Sequence, residues 1–245
     1  MGGSQDRFLT TCWTEIISVR SQNETKRKEL LSELITRYSR PVYCYLLGKG
    51  LNEESAEDLA QDFLTEVVIG REIIGRADKT KGRFRTFLLT ALDRYAIDMH
   101  NKKNAIKRKP KGERIAIDTS ELADRIAAMS DMTPEEIFNH AWATEILTQV
   151  IDETKDVYYK NGKGNHWEVF NSKVILPILE NSELPVLQDL CEQHGIENDA
   201  KASKIIFDAK NKFQLVMYQH LRQLVDDESE IEEEFNEILK ILSKK

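Results

Sequence analysis

Along nearly the whole chain, apolar side chains recur three and four positions apart, and no clear alternating stretch competes with that pattern. A period near 3.6 lines one face of a helix, whereas a half-buried strand needs a period of two. The chain is therefore expected to be all-α. Its 245 residues allow one large domain or two modest ones, each with its own core. No stretch approaches the roughly 18 consecutive apolar residues of a membrane helix. The opening MGGSQDRFLTT lacks the basic-then-apolar layout of a secretory leader. Cys12, Cys44 and Cys191 are scattered and odd in number, which points to neither a disulfide framework nor a zinc ligand set. These features lead to the expectation of a cytoplasmic protein that makes no use of membrane.

A first helix is expected over about Lys26–Gly48, burying Leu30, Leu31, Leu34, Tyr38, Val42 and Tyr45, with Pro41 kinking or splitting it. Asn52 can cap a second helix over about Glu53–Ile69, and GREIIGRADKTKG reads as a polar loop. A third helix spans about Arg83–Ala105 and runs into the basic stretch NKKNAIKRKPK. Residues 109–132, with Pro110 and Gly112, read as a linker. Thr133-Pro134-Glu135-Glu136 is a capping box with proline at the first helical position, and Phe138, Trp142, Ile146 and Val150 follow at four-residue spacing. After the loop Asn161–Asn165, a helix over about His166–Glu180 is expected to be bent or shortened by Pro177. Residues 185–223 read as helix–turn–helix: PVLQDLCEQH, a break at Gly195-Ile196, then a long helix capped by Asn198 or Asp199. Ser229 and Glu232 are placed for another capping box, opening an acidic last helix. The expectation is two helical domains, 1–108 and 133–245, joined by the linker 109–132.

The net charge of −7 conceals a division. Residues 1–114 carry 22 Lys/Arg against 16 Asp/Glu, whereas residues 115–245 carry 13 against 26. A phosphate-binding surface is a local property, so a basic half can bind nucleic acid within an acidic protein. In the second helix Ala56, Leu59, Ala60, Phe63, Leu64 and Val67 fall on one side, and Asp58, Gln61, Asp62, Thr65 and Glu66 on the other. That acidic side is either a solvated face or a docking surface for a basic partner helix, and periodicity does not choose between them.

The third helix is expected to bury Phe84, Phe87, Leu88, Ala91, Leu92, Tyr95 and Met99. Residues 101–111 hold six basic residues, among them Lys102, Lys103, Lys107 and Arg108, and no acid. The loop before adds Lys79, Lys81, Arg83 and Arg85. Cations flanking an aromatic-rich helix suit melted DNA, since they neutralise phosphates while rings receive unstacked bases. Complementing the helix C-terminal dipole alone would not call for so many.

Catalytic signatures are weak. Gly70 and Gly75 give a G-x-x-x-x-G spacing, but Arg76-Ala77 stands where a phosphate loop needs Lys and Ser/Thr. His100, His140, His166, His194 and His220 show no metal-ligand spacing. An enzyme would require an unrecognised carboxylate cluster such as Glu53, Glu54, Glu57 and Asp58. No cofactor is implied.

In this order, RFLTTCWTEIISVR, LLSELITRYSRPVYCYLLGKGLNEESAEDLAQDFLTEVV, GRADKTKGRFRTFLLTALDRYAIDMHNKK, TPEEIF and YYKNGKGNHWEVF, followed by the helix–turn–helix and the acidic tail, resemble the extracytoplasmic-function (ECF) sigma factors. The likeness is greatest to the branch abundant in planctomycetes and their relatives. It covers nearly the whole chain, and ESAEDLAQDF with GRFRTFLL carries most of its specificity. The resemblance implies a promoter-recognition protein, not an enzyme, whose partners are core RNA polymerase and promoter DNA. Asp58, Leu59, Gln61 and Asp62, with Glu66 beyond them, match the helix that grips the polymerase clamp. Lys79, Lys81, Arg83, Phe84, Arg85 and Phe87 match the segment that captures a flipped base of the −10 element. Lys102, Lys103, Lys107 and Arg108 fit backbone contacts beside the melted region. The second helix of the helix–turn–helix, with Lys201, Ser203, Lys204, Lys210 and Lys212, would enter the major groove at the −35 element. This helix departs from the family's basic pattern by carrying Asp199 and Asp208. Two readings follow: it contacts the −35 element, or it docks an anti-sigma or other targeting protein. A helical adaptor derived from a sigma factor is the corresponding alternative for the whole chain.

Overall fold

The computed structural model describes residues 24–69, 84–103, 126, 131–180, 182–222, 224–225 and 227–243, and no strand occurs among them. The helices are α1 (Glu24–Gly48), α2 (Glu53–Asp62), α3 (Phe84–Lys103), α4 (Pro134–Lys160), α5 (Gly164–Phe170), α6 (Leu176–Glu180), α7 (Leu187–His194), α8 (Asp199–Arg222) and α9 (Ile231–Leu242). Wider π-helical turns continue α2 over Phe63–Ile69 and join α5 to α6 over Asn171–Ile175. Among the described residues, those up to Glu145 and those from Arg222 onward form one compact unit, and Ile146–Leu221 form a second. The boundary falls inside α4, and the start of α4 and all of α9 lie in the first unit with α1–α3. Nearly all of the expected linker lies outside the described residues.

The first unit is built on α1. Val42, Tyr43 and Leu46 are fully buried, as are Ala56, Ala60 and Phe63 after the turn into α2. Pro41 neither splits nor ends α1, which runs unbroken through it. A proline inside a helix costs about 3 kcal/mol locally, and burying the three side chains that follow it offsets that cost. The chain leaves α1 through Gly50 in the left-handed conformation (φ 87), where the Gly50 N–H bonds the Leu47 carbonyl at 2.8 Å. Asn52 caps α2 as its sequence implies, its Oδ1 accepting the Ser55 N–H at 2.9 Å.

α4 begins on the capping box read from sequence. The Thr133 N–H donates to Glu136 Oε2 at 2.9 Å, and the Glu136 N–H donates to Thr133 Oγ1 at 3.2 Å. This start lies close against the end of α1: a Cβ on Gly48 would stand 2.9 Å from Ile137 Cδ1 and 3.3 Å from Pro134 Cα. Phe138 then stacks on Tyr38 (6.4 Å between centroids) and meets Tyr45 edge-on (6.5 Å). The second capping box does not form. Asp227 instead accepts the Ser229 N–H and hydroxyl, both at 2.9 Å, and holds a 3-10 turn over Glu228–Glu230 ahead of α9. A nearer carboxylate wins the Ser229 hydroxyl, because a two-residue loop closes more readily than the capping-box geometry.

In the second unit Trp167, Phe170, Ile175 and Ala209 form one apolar cluster, and Val169, Cys191, Ile196, Ala202 and Ile205 another. Between α7 and α8 the chain turns at Gly195 (φ 65), where α7 ends; the Ile196 N–H bonds the Cys191 carbonyl, and Asn198 Oδ1 caps α8 by accepting the Lys201 N–H at 2.9 Å. Gly195 supplies the positive φ that a side chain would strain. Pro177 is buried and leaves α6 as a short turn of helix after the π segment.

The cap and the core separate in magnitude. Thr133→Ala is expected to lower unfolding stability by about 1 kcal/mol, and Trp142→Ala by about 3–5 kcal/mol, measured by chemical denaturation. Equal losses from the two would contradict the packing described here.

Candidate functional site

The acidic side of α2 is presented on a well-anchored support. Ala56, Leu59, Ala60, Phe63 and Leu64 are buried beneath it, while Glu53 and Glu54 sit in the first turn, where the helix dipole favours anions. Asp58 and Asp62 are exposed and Glu66 is half-buried. Leu59 belongs to the core, and Gln61, expected on the outer side, is 9% exposed. Around the helix Gln61 lies between Leu64 and Asp58, at the border of the apolar face, and packing has taken it in. The exposed acidic surface is thus narrower than its pattern implies.

α3 departs further from expectation. Phe84 is buried against Tyr38, with ring centroids 5.6 Å apart and edge-on, and Phe87 is half-buried beside Phe84. The Arg85 side chain is 7% exposed. Its Nη1 bonds Glu234 Oε1 at 2.5 Å and its Nη2 pairs with Glu237 Oε1 at 2.6 Å, while the guanidinium lies 4.2 Å from the centroid of the Trp142 ring. A cation so enclosed is held by charge-assisted hydrogen bonds and by the ring's negative face. Removing one partner strands a buried charge, which commonly costs about 3–5 kcal/mol. Burial also raises the Tyr38 hydroxyl pKa, an effect opposed by the positive charges of Arg37 and Arg85. Lys79, Lys81, Arg83, Lys107 and Arg108 lie outside the described residues, as do the side chains of Lys102 and Lys103 at the end of α3. Sequence reasoning missed the partners of Arg85. They lie 149 and 152 positions along the chain, and the acidity of IEEEFNEILKIL was the one available hint.

A second polar link pins the end of α1 to α3. Asp93 Oδ1 receives Lys49 Nζ at 3.1 Å and the Tyr45 hydroxyl at 3.1 Å. The Lys49 hydrogen bond holds the Asp93 carboxyl below its ordinary range, and Asp93 in turn raises Lys49. Both groups are well exposed, so the pair contributes little to stability.

On α8, Lys201, Ser203, Lys204 and Lys210 are exposed and Lys212 is half-buried. Lys201 also pairs with Glu197 at 3.3 Å. The outward side of α8 is not purely cationic, since Phe207, Leu215 and Tyr218 are exposed there, Phe207 by 62%. Within the same unit, His220 Nε2 lies 2.7 Å from Glu153 Oε2.

Among the described residues, no group of three or more His, Cys, Asp and Glu is arranged to hold a metal ion, and Glu53, Glu54, Glu57 and Asp58 form no such set. No helix among them is long and apolar enough to cross a membrane.

The family model for sigma-70 region 2 matches residues 34–106. That span takes in most of α1, all of α2 and all of α3. Over that span the chain is similar to sigma-70 region 2. No curated protein and no solved structure matches the chain.

Cys44, inside the matched region 2 segment, has its thiol pushed up to about 12 by burial. A neutral, enclosed thiol is a poor nucleophile. Peptide mapping after treatment with a maleimide at neutral pH should find Cys44 unmodified in the native protein and modified once it is denatured. Rapid native labelling would show that α1 opens locally.

Proposed function

We propose that the protein is an ECF-type sigma factor that docks on core RNA polymerase through the exposed acidic side of α2. It then directs the enzyme to promoters and stabilises the melted −10 region through α3 and the basic segments flanking it. The observation that carries this reading is the coincidence of the region 2 match with α2, whose Asp58 and Asp62 point to solvent from a buried, capped support. Carboxylates fixed on a rigid helix give a basic partner surface a defined register. Polymerase supplies the chemistry, so the chain itself needs no catalytic group or cofactor. Such a protein works in the cytoplasm. On this reading 1–108 acts on the clamp and the −10 element, 109–132 links, and 133–245 carries the region 4-like helix–turn–helix.

For α8 a second reading has its own support. A helix that reads the major groove benefits from a cationic outer side, whereas α8 exposes Phe207 between its lysines and Leu215 and Tyr218 beyond them, and carries Asp199 and Asp208. That mixture suits a protein partner that assists promoter targeting, and the chain would then resemble an adaptor at this end.

Reversing both charges, Asp58→Lys with Asp62→Lys, should abolish co-purification with core polymerase while leaving the circular dichroism spectrum unchanged. Retained binding would remove α2 as the docking element. For α8, Lys201→Ala with Lys204→Ala should weaken binding to duplex DNA and flatten its salt dependence if the helix contacts phosphates. An unaltered salt slope together with lost transcription would favour the protein-partner reading.

A further inference from the structure

We propose that α9 is an autoinhibitory strap, with Glu234 and Glu237 occupying Arg85 in place of DNA phosphate, so that α9 must be displaced before Arg85 can bind DNA. This inference rests on the assignment of Arg85 to the DNA-binding segment and concerns the regulation of that same site. Arg85 belongs to the basic run that includes Lys79, Lys81 and Arg83, yet its guanidinium is closed off from solvent. Two nitrogens of one guanidinium each meet a carboxylate oxygen, an arrangement that copies the anionic contact a phosphate would make. A guanidinium cannot hold these carboxylates and a phosphate at once, so the docked helix and DNA compete.

α9 is a 12-residue helix that docks through few buried side chains, Ile231, Glu234 and Ile238. Ile231 and Ile238 are buried on its inner side, and Glu237 is half-buried at its edge. Glu232 and Glu233 face solvent in the first turn, extending the anionic surface. At 12 residues, α9 is near the lower limit for an isolated helix, so its docking contacts and its helicity are lost together. If α9 is docked in about nine molecules of ten, apparent DNA affinity falls roughly tenfold, a difference large enough to act as a switch.

The test uses the full chain and a fluorescein-labelled forked DNA, a duplex with an adenine- and thymine-rich single-stranded tail, followed by anisotropy across a range of salt. Glu234→Gln with Glu237→Gln keeps hydrogen-bonding groups and removes both charges. It should bind the fork roughly tenfold tighter than the unaltered protein, with a salt slope steeper by about one because one more phosphate is engaged. Adding Arg85→Gln to that pair should erase both gains. Glu237→Gln alone, which leaves the buried Glu234 contact in place, should give a smaller gain, and it covers the case in which the double variant does not fold. A purely structural pair would lower the melting temperature of these variants without tightening DNA binding. Folded variants that bind the fork no better than the unaltered protein would therefore overturn the strap, while binding to core polymerase would leave the sigma-factor reading standing. If no form binds either the fork or core polymerase, that reading fails and the strap fails with it.

Discussion

Arg85 organises the first unit. Its guanidinium is removed from water and held by two carboxylates of α9 and the ring of Trp142 on α4, so three helices distant in sequence converge on one side chain. A buried charge is tolerated only when its hydrogen-bonding capacity is met, and that requirement imposes positions on α3, α4 and α9 more strictly than apolar contact does. Aromatic packing fills the space around it: Tyr38 meets Phe84 and Phe138, and Phe63 meets Tyr95. The apolar contacts supply most of the cohesion, and the ion pairs define which surfaces meet.

Within the span similar to sigma-70 region 2, the two helices present their charged groups differently. On α2, Asp58 and Asp62 are exposed above a buried support. The start of α3 is closed, with Phe84 in the core and Arg85 neutralised.

Much of this architecture could be read from residues. Local signals with strong chemistry were legible: the Thr133 capping box, the Asn52 and Asn198 caps, the Gly195 break, and the buried stripe Phe138, Trp142, Ile146 and Val150. Each depends on side chains within a few positions of one another, so pattern and outcome are tied by short-range geometry. Where neighbours compete, the pattern misled. Pro41 could have split α1, but the helix runs through it. Gln61 reads as an outer residue, but it borders the apolar face. Ser229 was offered two partners and took the nearer one.

The sequence by itself determined the helices, their caps and the acidic stripe of α2, because a helix face is set by a period of 3.6 and a cap by residues three apart. It also placed a cluster of cations around α3. Only the tertiary structure decided that Arg85 would face Glu234 and Glu237 instead of solvent. Charge count says that opposite charges attract but not which ones meet, and the choice falls to the packing that brings α9, more than a hundred residues onward, against α3.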